Sequence, residues 1–378
     1  MEPLAPTQEE FTLDTAAELA AGESGSKIEG KSPWVLAGRR LRRNYAALGF
    51  LGVFLLVMLL CFVFAPIYSS HVSHIGPNDG NPSGFVHEHG QKIPILSQGG
   101  STFLKNGTVV VTQGGVPIGP QWGASGGQYF FGADPIGRDV GTRLLYGGRN
   151  TLTIGLVSAV IATALSILLA LIAAYFGGGA DWIISRAFDL IWAFPVLLLG
   201  IALGTALNIN GFHHTIIPSF WIFPGWTINI PAGSLWIPIA VIAFVFIPYI
   251  GRPLRGQVLA LRNREFVEAS TAQGAGSLRI MFTELLPNIA SSVLVLFTLI
   301  VANAILTEVG LSFLGAGVQP PSASWGTMIA DGQDVLASDP WLSLLPGIMI
   351  TITVISLNIF GDGLRDALDP RAKVRLEH

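Results

Sequence analysis

The chain is 378 residues long, 51% apolar and 12% charged, about half the charged share of an average soluble domain. That deficit excludes a water-soluble enzyme and points to a molecule solvated mainly by lipid. A net charge of −3 offers nucleic acid no basic face, and a single cysteine, Cys61, forbids an intramolecular disulfide or a cysteine-based zinc site.

Residues 1–30 are acidic and rich in Ala, Gly and Ser, the composition of a disordered tail. Within it GSKIEGKS (25–32) satisfies the phosphate-loop pattern, but no strand precedes it and Pro33 follows at once, so the match is read as coincidence. Six runs then lack any charged residue and are long enough, or nearly so, to cross about 30 Å of hydrocarbon as helices. They are 46–67, 151–174, 190–207, 230–250, 285–307 and 341–361. The expected fold is an all-α membrane protein with six transmembrane helices. The first run follows a polar tail and is too long for the apolar core of a signal peptide, so it is expected to remain in the mature chain.

Between the first two runs lies an insertion, 68–150. In STFLKNGTVVV (101–111), two extended runs flank Asn106-Gly107, which signals a type I′ hairpin and a small β-containing unit. The stretch 190–251 has no charge at all, and a seventh span could hide at 216–230. Basic residues decide against it. In the six-span reading 16 of the 21 Lys and Arg fall on one side, which the positive-inside rule makes cytoplasmic with both termini. IIPSFWIFPGWTI (216–228) then reads as an interfacial or re-entrant segment, with Trp221 and Trp226 as headgroup anchors and Pro218 and Pro224 opposing a spanning helix.

The loop 251–290 carries the densest pattern. Two helical pieces flank the break Gly274-Ala275-Gly276. After it, Leu278, Met281, Phe282 and Leu285 form one apolar stripe at helical spacing. Before it, Phe266, Ala269 and Ser270 make a small ridge beside Glu265 and Glu268. Such a hairpin either lies against the chain's own spans or protrudes as a knob into a partner's groove.

The string EAS-TAQ-G, followed nine residues later by ELLP, resembles the EAA loop of binding-protein-dependent ABC importer permeases, EAA-x3-G-x9-I-x-L-P. Ser270 stands at the second alanine and Glu284 at the isoleucine. Four further segments, DPIGRDVGTRLLYGGRNTL (134–152), AAYFGGGADWIISRAFD (173–189), LSFLGAGVQPPSASWGTM (311–328) and NIFGDGLRDALDPR (358–371), resemble the C-type subunit of the dipeptide/oligopeptide/nickel permease family. The likeness covers 31–373 except most of 68–130.

The resemblance implies a type I ABC importer permease with a MetI-like core, divided into a tail (1–45), helix 1 (46–67), an extracytoplasmic insertion (68–150), a permease core (151–361) containing the coupling loop (251–290), and a cytoplasmic tail (362–378). It implies a location in a bacterial or archaeal inner membrane. It implies a heterodimer with a related permease, two cytoplasmic ATPases and an extracytoplasmic solute-binding protein, besides membrane lipid and without nucleic acid. The chain is expected to bind no cofactor and to have no catalytic site; ATP and Mg belong to the ATPases. Coupling is carried over to Glu265, Glu268, Ala269, Ser270, Gly274, Leu278, Phe282 and Pro287. The implied cargo is peptide, though relatives carry nickel, glutathione-like compounds or oligosaccharides.

Two acidic residues stand at the edges of spans. Arg186, three residues earlier, is the expected ion-pair partner of Asp189. Glu308, after span 5, is a candidate for lining the translocation path or contacting a peptide amine, because a charge at that depth is costly, with a structural role at the outer interface as the other reading. His71, His74, His87, His89, His213 and His214 all fall outside in this topology. They are read as solvated loop residues rather than metal ligands, and the sequon at Asn106 is read as a turn.

Overall fold

In the computed structural model, residues 33–88, 91–97, 100–103, 109–112, 114–122, 128–217 and 226–368 are described. The acidic tail, GSKIEGKS, the Asn106-Gly107 turn, His89, Trp221, Pro218 and Pro224 lie outside them.

The helices are α1 (Pro33–Arg43), α2 (Tyr45–Ser73), α3 (Val140–Phe176), α4 (Gly178–Trp192), α5 (Val196–Asn210), α6 (Trp236–Arg262), α7 (Glu265–Ala272), α8 (Ser277–Phe313), α9 (Trp325–Gln333) and α10 (Trp341–Leu368). Five of these, α2, α3, α6, α8 and α10, are long and apolar enough to cross a bilayer, and the pair α4 and α5, bent by 90°, is so only when the two are taken together. The chain is therefore an all-α membrane protein with a small β-containing insertion.

The third expected span, 190–207, needs correction. It is not one straight helix: Pro195 cannot continue the ladder of α4, and α5 starts after it. At 15 residues α5 is about 22 Å long, short of the hydrocarbon thickness. Most of the segment expected to be interfacial or re-entrant lies outside the described residues; at its flanks β5 (Phe212–Ile217) and β6 (Trp226–Ile230) pair antiparallel.

Helix α3 is the central post. Ser158 donates to the Ile239 carbonyl (3.1 Å) and Ser166 to that of Ile247 (2.8 Å), both on α6. Eight residues on one helix match eight on the other in the same direction, so α3 and α6 run parallel, and the bent pair supplies the return crossing between them. Close approach elsewhere depends on Gly148, where a Cβ would come within 2.5 Å of Cys61 Sγ and 2.6 Å of the Trp325 ring. The Trp325 indole is fully buried and donates to the Leu144 carbonyl at 3.0 Å.

In the insertion, β1 (Phe85–Glu88) pairs with β2 (Gln91–Pro94), and β3 (Gly100–Phe103) with β4 (Val109–Thr112), both antiparallel. The expected Asn106-Gly107 turn falls between β3 and β4, outside the described residues. Val86, Ile95, Ile118, Tyr129 and Ala133 form a second small core. α3 starts at Val140, earlier than the expected 151, because Asp139 caps it by accepting from the Thr142 amide at 2.8 Å.

Candidate functional site

The loop between α6 and α8 is built from its end signals. Glu265 and Glu268 occupy the first turn of α7, where the positive end of the helix dipole favours them. The helix closes on Gly274 (φ +81°), with the Ala275 amide bonded to the Ser270 carbonyl (3.1 Å) and the Gly274 amide to that of Thr271 (2.9 Å). That is a Schellman ending, for which glycine is the residue of choice. Val267 anchors α7 in the core, while Glu265, Glu268 and Ala269 stay exposed.

The second helical piece is no separate knob: it is the first part of α8, which runs on into the membrane. A π-turn over Ile280–Leu285 precedes Pro287 and reorients the side chains. The expected stripe is therefore divided. Met281 and Leu285 are buried with Ile280, whereas Leu278 (69% exposed) and Phe282 (48%) face outward. Seven of the eight carried-over residues, Glu265, Glu268, Ala269, Gly274, Leu278, Phe282 and Pro287, are exposed, and Ser270 is half-buried. Beside them a cleft of about 620 Å³ opens between the α3 end (Tyr175, Phe176) and Arg262, Glu268 and Thr271. Arg262 donates to the Ala174 carbonyl at 3.2 Å and so ties α6 to α3.

Glu308 is enclosed by its own chain, as the structural reading of it expects. It is fully buried within the chain, accepting from Ser312 Oγ at 2.6 Å. The same hydroxyl accepts from the Val318 amide at 3.0 Å, so the carboxyl organises the loop after α8. Asp189 does pair with Arg186 (3.4 Å), and more closely with Arg252 (2.5 Å), whose guanidinium lies 4.1 Å from the Trp192 ring centre. Among the described residues no three His, Cys, Asp or Glu converge as a metal site would require.

One charged cluster escaped the sequence reading. Asp134 bonds Arg138 (2.5 Å) and Arg143 (3.4 Å), and both arginines reach Asp331 on α9 (3.1 and 3.2 Å). Arg143 also donates to the Pro77 carbonyl at 3.3 Å. The cluster pins the insertion to α3 and α9. Its sequence signal was the i, i+4 pair inside DPIGRD; the partner on α9 had none.

Residues 166–374 match the binding-protein-dependent transport system inner membrane component family, and 32–81 match the N-terminal transmembrane domain of oligopeptide transport permease C. A peptide transport system permease protein of Brucella suis is 34% identical over 94% of this chain and 99% of that protein. The dipeptide permease of Alkalihalophilus pseudofirmus is 39% identical over 65% of this chain and 73% of its own length. The di/tripeptide permease of Pseudomonas aeruginosa is 40% identical over 67% and 76%. With a family match over more than half its length, and a relative aligned almost end to end, this chain belongs to the binding-protein-dependent transport system inner membrane components, as a permease subunit of an ABC importer.

Proposed function

We propose that this permease carries di- or oligopeptides, pairs with a related permease, and is driven by two cytoplasmic ATPases that engage Glu265, Glu268, Ala269, Ser270 and Gly274, with Leu278, Phe282 and Pro287 completing the surface. The single observation behind the docking role is the exposed α7 and α8 surface of acidic, small and apolar side chains, held by a glycine-closed turn on a helix that continues into the membrane. A rigid body of this kind passes on displacement rather than absorbing it. The peptide cargo rests on the permeases that the chain resembles, and an extracytoplasmic binding protein would deliver it. Both termini are cytoplasmic in this reading, by the distribution of Lys and Arg. The chain performs no chemistry, and ATP and Mg bind the ATPases.

Co-expression with the ATPases and the related permease tests the reading. Recovery of a complex with vanadate-sensitive ATPase activity and peptide uptake in proteoliposomes supports it. Solute flux through this chain alone overturns it.

A further inference from the structure

Helix α1 lies immediately before the first membrane helix, separated by Asn44, whose side chain accepts from the Ala47 amide at 3.1 Å to start α2. Tyr45, the first residue of α2, is 83% exposed and suits the headgroup level of a bilayer. α1 is therefore held at a membrane boundary. One side of it, with Leu36, Ala37 and Leu41 half-buried, packs along α10. The other side carries Arg39, Arg42 and Arg43, which share a helical face through their i, i+3 and i+4 spacing, and all three are exposed. Among the described residues none of the three has an ion pair. The acidic side chains at that end of α10, Asp362 and Asp366, are exposed and do not reach them.

We propose that Arg39, Arg42 and Arg43 form a binding face for the phosphate headgroups of anionic phospholipids in the cytoplasmic leaflet. Charge complementarity and position both argue for that occupant. Three exposed guanidiniums share one face of a helix that adjoins the first span, and the opposite side of that helix is already packed on protein. The rival is the chain's own tail, since residues 1–32 carry seven acidic and two basic side chains. Lipid has the stronger claim because α1 is set at the bilayer edge by α2, with no linker between. The assignment to a cytoplasmic leaflet rests on the topology proposed above; headgroup binding itself does not.

The test uses the full chain in nanodiscs of mixed phosphatidylcholine and phosphatidylglycerol, with retained lipid identified by native mass spectrometry after release. Juxtamembrane arginines contribute roughly fivefold each, so wild type should enrich phosphatidylglycerol, and the triple variant R39Q/R42Q/R43Q should lose that preference by on the order of 100-fold. Raising salt to 1 M should weaken it in wild type. Unchanged thermal stability of the variant in pure phosphatidylcholine shows that it is folded. Equal preference in wild type and variant overturns the proposal. So does a preference that emerges only after residues 1–30 are deleted, which would make the tail the native occupant. Both leaflets of the nanodisc have the same composition, so an inverted topology would not alter the result and would appear separately in cysteine-accessibility labelling.

Discussion

The hydroxyl of Ser270 donates to Oε1 of Glu284 across 3.2 Å, linking α7 to the first part of α8. These are the two positions at which the loop departs from the EAA pattern, and the departures meet in one contact. A hydroxyl in place of alanine supplies the donor, and a carboxylate in place of isoleucine supplies the acceptor. The bond fixes the angle between α7 and α8 across the Gly274 turn.

A double-mutant cycle should detect that coupling. Ser270→Ala and Glu284→Ala should each lower ATP-coupled uptake, and the double variant should lose little more than either alone, leaving an interaction energy of about 0.5–1.5 kcal/mol. Strictly additive losses would show that the contact is incidental.

Gly274 sits at φ +81° with nothing within 4 Å of a Cβ built on it. Alanine there meets no clash and pays only for the left-handed backbone, about 1 kcal/mol. Proline cannot adopt that φ and removes the amide that bonds the Thr271 carbonyl. Gly274→Ala should retain most transport, whereas Gly274→Pro should abolish transport and ATPase co-purification with membrane insertion intact. Glu268→Lys should also weaken co-purification by reversing the charge in the first turn of α7.

The charged cluster that ties the insertion to α3 and α9 has unequal members. The Asp134 side chain is 3% exposed and faces Arg143 at 3%, while the Asp331 side chain is 38% exposed. Asp134→Ala strands buried guanidinium charge and should destabilise the insertion by roughly 3 kcal/mol. Asp331→Ala should cost less than about 1 kcal/mol, because water compensates its loss. Limited proteolysis of the insertion under thermal challenge ranks the two variants.

Tyr129 is buried, and its hydroxyl donates to the Gly137 carbonyl at 3.1 Å. Burial, and then the negative charges of Asp139 and Asp134, push its pKa from 10.0 up to about 12. The folded state thus prefers the neutral phenol. Its stabilisation is complete below pH 10 and is lost as pH rises through 12. In a spectrophotometric titration at 295 nm, the wild-type minus Tyr129→Phe difference should show a midpoint near 12. A midpoint near 10 would mean that the small core of the insertion is open to water.

The crossings were legible because charge is so costly in hydrocarbon that its gaps mark the spans. The right-angle bend was not, since the apolar run 190–207 continues beneath it. Proline was no guide either: Pro195 begins a helix, but Pro248, Pro253 and Pro346 lie inside unbroken ones. The loop between α6 and α8 is legible as a motif, although helical spacing alone makes its apolar stripe a single face. The π-turn at Ile280–Leu285 changed the period, so Met281 and Leu285 turned inward and Leu278 and Phe282 outward. Glu308 could be recognised as unusual from sequence, but its enclosure required Ser312 and the returning loop, which only the folded chain brings together.

Helix α8 spans 37 residues, about 55 Å, from Ser277 beside the glycine turn to Phe313 at the start of the loop knotted by Glu308. A bar of that length pivoting near its middle moves its two ends in opposite directions, and a tilt of about 5° already displaces each by roughly 2 Å. What is pushed at Leu278 is therefore felt, with reversed sign, at Ser312. The two ends of α8 are thus arms of one lever, and a shift at the glycine turn is matched by an opposite shift at the loop after Phe313.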